Sequence, residues 1–128
     1  KKLEKLLSER AKWANWYNQN LNDISWLNLP KVPKYSKHSW QAYVVVVNES
    51  SSPASRNKIM EYLMEEGINT RPGTHTVTNL KYYKSTFNIK TDQFCVANKL
   101  EHSTLALPLH NRMTEEDFLY ISDVLHRI

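Results

Sequence analysis

Glycine is almost missing from this chain. Its 128 residues hold two, Gly67 and Gly73, and both lie in the stretch GINTRPG. Six apart, and with Thr74-His75 after the second, they fit neither a phosphate loop, G-x-x-x-x-G-K-[ST], nor a dinucleotide fingerprint, G-x-G-x-x-G. Cysteine is represented once, by Cys95, which excludes an internal disulfide framework and suits a reducing, cytoplasmic setting. There is no run of about 18 apolar residues and no signal-peptide pattern, so neither a membrane span nor a membrane partner is expected. The five histidines are scattered and show no metal-ligand spacing. A nucleophile elbow, G-x-S-x-G, is absent. The lysines are dispersed and no nucleic-acid-binding motif is present, so a nucleic-acid partner is not expected.

What remains is a globular composition: 41% hydrophobic, 23% charged, with a net charge of +4. The length fits one domain with its own core. The chain opens KKLEKLL, without Met and already in helical rhythm, and is expected to be cut from a longer polypeptide. Leu3, Leu6, Leu7, Ala11, Ala14, Tyr17 and Leu21 repeat at helical spacing over residues 2–21. Trp13 and Trp16 add apolar area beyond that stripe, so at least one is expected to be partly exposed. Pro30 and Pro33 forbid helix in a basic, extended segment. Trp40–Val47 reads as a strand, its unbroken valines suggesting burial on both faces. A helix with Ser52 as N-cap and Pro53 in its first turn runs to Gly67. Ile68–Arg71 is expected as a short strand, residues 72–90 as irregular, and residues 92–102 as a helix with Phe94, Ala97 and Leu100 inward. Cys95 is expected among apolar neighbours. Thr104–Leu109 reads as a strand. A last helix follows, with Thr114 and Asp117 as a capping box, Met113 against Phe118 as a staple, and Phe118, Ile121, Leu125 and Ile128 as the buried stripe. The sum is an α+β domain: a small, mostly antiparallel sheet of about three strands with packed helices and a long N-terminal helix.

Few residues carry candidate chemistry. The two glycines read as a helix stop at Gly67 and a tight bend at Pro72-Gly73. Between them sits Arg71, whose guanidinium forks onto phosphate or carboxylate. His75 follows, able to donate to an anion or move a proton. Trp40 and Tyr82 offer rings for stacking. Glu115, Glu116 and Asp117 fall in a helix's first turn, where carboxylates serve the dipole. No complete catalytic set and no metal site are present, and a stand-alone module for an anionic ligand is compatible with these residues.

Three stretches together resemble a known family. They are SERAKWANWYNQNL, RNKIMEYLMEEGINTRPGTHTVTNLKYY and LALPLHNRMTEEDFLYISDVL. In order and spacing they are similar to the C-terminal part of the DegT/StrS-type sugar aminotransferases, a branch of the fold-type I enzymes that use pyridoxal phosphate (PLP). The resemblance departs from the family at Thr78, where members carry a second histidine. It implies that residues 1–128 form a C-terminal small domain, with the cofactor and its lysine held by a larger domain that precedes it. The chain's twelve lysines do not sit in a context like the cofactor lysine's, so the chain alone is expected to bind no PLP and to be inactive. The whole enzyme is expected, as a homodimer, to move an amino group from an amino acid, often glutamate, to a keto sugar on a nucleotide carrier. Arg71 and His75 are then expected to face the sugar nucleotide's phosphates, and Trp40 and Tyr82 to line its sugar or base.

Overall fold

The computed structural model describes residues 2–128, apart from the side chains of Thr91 and Asp92. The leucine-rich rhythm produces α1 (Lys2–Asn20), which buries Ala14 and Tyr17. A two-residue strand, β1 (Leu27–Asn28), precedes β2 (Tyr43–Val47), and α2 (Arg56–Glu65) follows. Next come β3 (Arg71–Pro72), α3 (Lys81–Phe87), α4 (Cys95–Ser103), β4 (Thr104–Leu107) and α5 (Glu115–His126). The sheet order is β1-β2-β4-β3, antiparallel at every pairing. The α+β architecture is as expected from sequence, with four strands in place of about three. A two-residue edge strand carries too little alternation to be read from the chain.

Register places Tyr43 opposite Leu107 and Val45 opposite Leu105. These four side chains are buried, whereas Val44 and Val46 are half-covered. The valine run therefore has one closed face and one partly open face, not two closed ones. On the closed side, α1 and α5 meet through rings: Trp13 stacks on Phe118 at 4.2 Å and 8°, and Tyr17 lies 4.9 Å from Tyr43. Both tryptophans are half-buried. Three carbonyls, those of Trp40, Gln41 and Leu109, accept from the same nitrogen of Arg10 at 2.9, 2.9 and 3.1 Å. The Tyr17 hydroxyl donates to the Pro108 carbonyl at 2.9 Å. Hydrogen bonds thus fix α1 to both central strands' ends.

Several boundaries differ from the sequence reading. Helix α2 starts at Arg56 after Ser55, not at Pro53, because the Ser52 hydroxyl closes a local turn on Ala54. Strand β2 begins at Tyr43 because Trp40 takes a left-handed φ of 51°. Ile68 turns into the core, leaving the third strand to Arg71 and Pro72. The stretch expected to be irregular contains α3, and a 3-10 turn (Thr91–Phe94) precedes α4. Phe94 is 43% exposed and Cys95 is exposed, because α4 opens at the surface and turns inward only near Ser103. In the last helix Thr114 and Asp117 form the expected capping box and Phe118, Ile121 and Leu125 are buried, joined by Val124, whereas Ile128 lies past the helix end and is only half-buried.

Candidate functional site

The two glycines do different work. Gly67 has φ 76° with open space where a Cβ would stand, and it ends α2 in the left-handed manner. Gly73 has no such backbone. A Cβ there would lie 2.4 Å from Val44 Cγ1 and 2.8 Å from Thr104 Cβ. The expected bend at Pro72-Gly73 is therefore a close approach: the chain is pressed against the sheet, and the Gly73 N–H donates to the Thr104 carbonyl at 3.2 Å. Just before Gly67, the Glu66 carboxylate accepts from Tyr120 and Arg127 of α5 at 3.1 and 3.2 Å. The segment 67–73 is pinned at both ends.

Arg71 lies between these pins. Its backbone pairs with Ala106 on the edge strand β3, and its side chain is exposed. Among the described residues its guanidinium has no hydrogen-bond or ion-pair partner. It forms one wall of an open groove of about 720 Å³. Asn69, His110, Asp117, Tyr120 and Gln41 supply the other polar groups of the lining, over an apolar floor from Ile68 and Leu107. A forked cation on a fixed strand, without a protein counter-ion, over a mixed polar and apolar groove is suited to hold an anionic ligand.

His75 is exposed and lies outside this groove's lining. Its neighbours are nonetheless held firmly. The Thr76 N–H donates to Glu101 Oε1 at 3.1 Å, the Thr76 hydroxyl to the Ala97 carbonyl at 2.8 Å, and the Asn79 amide to Glu101 Oε2 at 2.6 Å. The Asn79 bond first, then the Thr76 N–H, hold the Glu101 carboxyl below its ordinary pKa. Trp40 is 6% exposed and packs against His38 and Tyr43. It borders a different groove, between α1 and the chain after β1. Tyr82 stands on α3, 66% exposed, edge-on to Tyr83. The structure therefore brings only Arg71, of the four candidates, to the principal groove. His110, Asp117 and Tyr120 were not read as lining it. LPLH showed only a strand end closed by proline; nothing local to it marks a groove whose lining joins β3, the chain after β4 and α5. Among the described residues no three His, Cys, Asp or Glu side chains are grouped to hold a metal, and no helix is long and apolar enough to cross a membrane.

Comparison with known proteins adds to this geometry. The model of the DegT/DnrJ/EryC1/StrS aminotransferase family matches residues 1–126. The chain belongs to that family. It is 28% identical to spore coat polysaccharide biosynthesis protein SpsC of Bacillus subtilis, over all of this chain and 32% of that protein. PseC of Helicobacter pylori, an aminotransferase involved in the biosynthesis of pseudoaminic acid, superposes with a TM-score of 0.85 at 18% identity, over 97% of this chain and 33% of PseC. Spr1654 of Streptococcus pneumoniae, in its PLP form, superposes at 0.82 with 21% identity, over 97% of this chain and 32% of Spr1654. The chain thus spans about a third of the length of the relatives it matches. Every described lysine is exposed except Lys84, which is half-buried, so within this chain none stands in the desolvated site that a Schiff-base lysine needs.

Proposed function

We propose that this chain is the C-terminal small domain of a PLP-dependent aminotransferase that aminates a nucleotide-linked keto sugar. PLP, when bound to the enzyme's other part, supplies the electron sink for amino transfer. The residues described here bind and orient. Arg71 contacts the substrate's phosphates, and His75, exposed two residues beyond the pinned segment, is the second polar contact. The observation that carries this reading is Arg71: an exposed guanidinium, unpartnered among the described residues, fixed by strand pairing at the wall of a groove. The strand pairing fixes its backbone, so little backbone entropy is left to lose on binding. The matched family and the fold shared with PseC support the reaction class.

The decisive experiment uses the longer gene product that contains this sequence. Purified with PLP and glutamate, it is expected to aminate a keto sugar carried on a nucleoside diphosphate, whereas the 128-residue chain alone shows no aldimine absorption that saturates at one equivalent of PLP. A long product inactive on every nucleotide-linked keto sugar, or an in-frame start codon at or just before Lys1, would instead favour a stand-alone anion-binding module.

A further inference from the structure

Helix α3 has no buried residue. Seven residues of isolated helix are marginal in water, since helices in proteins are held mainly by packing an apolar face. Yet α3 is well formed, and Asn88 ends it with a left-handed φ of 48°. Around it the surface is apolar. Of thirteen large hydrophobic side chains exposed among the described residues, seven fall between Val77 and Val96, including Leu80, Tyr82 and Phe87. Tyr83 stacks on Phe87 at 6.1 Å and 17°. The platform beneath is fixed to α4 by Thr76 and Asn79. The charge is equally one-sided: Gly67 to Lys90 contains Arg71, Lys81, Lys84 and Lys90 and no Asp or Glu. Aromatic rings amid cations, on a helix with no buried residue, form an interface surface; the next acids along the chain are Asp92 and Glu101, and the Glu101 carboxylate is taken up by Thr76 and Asn79.

We infer that the α3 face docks on an apolar, carboxylate-rimmed surface of the remaining two thirds of the longer polypeptide. Two observations choose this occupant. The chain spans about a third of its relatives, so a large covering body is available. A second copy meeting the same face would set Lys81, Lys84 and Lys90 against themselves, which disfavours two-fold self-pairing. Tyr82 is then an interface ring and not a substrate contact. The inference rests on the proposed function only for the existence of the longer polypeptide.

Hydrogen exchange of the 80–90 backbone tests it, in the intact gene product and in the 128-residue chain. Exchange is expected to be at least tenfold slower in the intact protein. The protection is expected to fall in Tyr82→Glu/Phe87→Glu, and in Lys81→Glu/Lys90→Glu, which reverses two exposed charges, and to weaken between low and high salt. Equal exchange in the two proteins overturns the inference. So does protection of the short chain that rises with its own concentration, or protection that appears only with oligothymidylate. Activity is assayed separately on the same intact protein, so the outcomes separate: an active enzyme with unprotected α3 sinks the docking alone, and a protected α3 in an inactive protein sinks the reaction alone.

Discussion

Replacing Gly73 by alanine tests whether the 67–73 segment is held by close packing or by backbone conformation. Its backbone has no positive φ, so general reasoning about chain entropy predicts that Ala stabilises by about 0.4–1 kcal/mol. The structure predicts the opposite. A Cβ at 2.4 Å from Val44 Cγ1 and 2.8 Å from Thr104 Cβ is too close for either neighbour. Thr104 is buried and its Cβ cannot swing away. Overpacking of this kind costs about 1–3 kcal/mol, or a fall in Tm of about 3–5 °C per kcal/mol for a domain of this size. Gly67→Ala is expected to cost roughly 1–2 kcal/mol for a different reason, the left-handed backbone, since nothing lies within 4 Å of its Cβ. A double-mutant cycle separates the two causes. Val44→Ala should relieve part of the Gly73→Ala penalty and none of the Gly67→Ala penalty. Denaturant melts of the five variants measure this. A neutral or stabilising Gly73→Ala, or strict additivity with Val44→Ala, refutes the packing argument.

Arg56 is 6% exposed, and its guanidinium donates to the carbonyls of Glu101 and Thr104 at 2.8 and 3.3 Å, closing the end of α4; Arg56→Ala is expected to cost about 2–4 kcal/mol in urea melts, and Arg56→Met less, because Met keeps the volume. Both ring nitrogens of His126 face acceptors, the Ser122 carbonyl at 2.7 Å and Asp23 Oδ1 at 3.1 Å, so both bonds are satisfied only by the imidazolium. Its pKa is raised, first by the Ser122 carbonyl and then by Asp23, and that of Asp23 is lowered, chiefly by His126. The stabilisation from His126 is therefore complete below its ordinary value of 6.5 and lost as pH rises through the raised value; that from Asp23 is lost as pH falls through its lowered one. Proton NMR titration should show the His126 midpoint falling in Asp23→Asn, and an unmoved midpoint would contradict the pairing.

Much of the fold was legible because its strongest signals are local. The capping box at Thr114, the stop at Gly67 and the leucine rhythm of α1 each depend on residues a few positions apart. What escaped depends on distant contacts. Strand β1 exists because Leu27 meets Val47, and α3 has no apolar burial of its own to announce it. Trp40 was readable as a ring, but not as one already stacked on Tyr43. Gly73 was readable as special, yet its reason, the side chains of Val44 and Thr104, lies on other strands. Arg71 was singled out from its loop, and it stands at the wall of a groove whose other lining, from His110 to Tyr120, comes from the chain after β4 and from α5, distant in sequence.

The most direct measurement is steady-state kinetics of the longer gene product carrying Arg71→Ala and Arg71→Lys, set beside their thermal melts. A charge-assisted phosphate contact is worth roughly 1.5–3 kcal/mol, so kcat/KM for the nucleotide-linked sugar is expected to fall about ten- to a hundred-fold in Arg71→Ala. Arg71→Lys should recover part of it, keeping the charge without the fork. Stability should change by only about 0.5 kcal/mol, as for other surface substitutions. Unchanged kcat/KM in Arg71→Ala, with a clear drop in Tm, contradicts the account and makes Arg71 a structural residue.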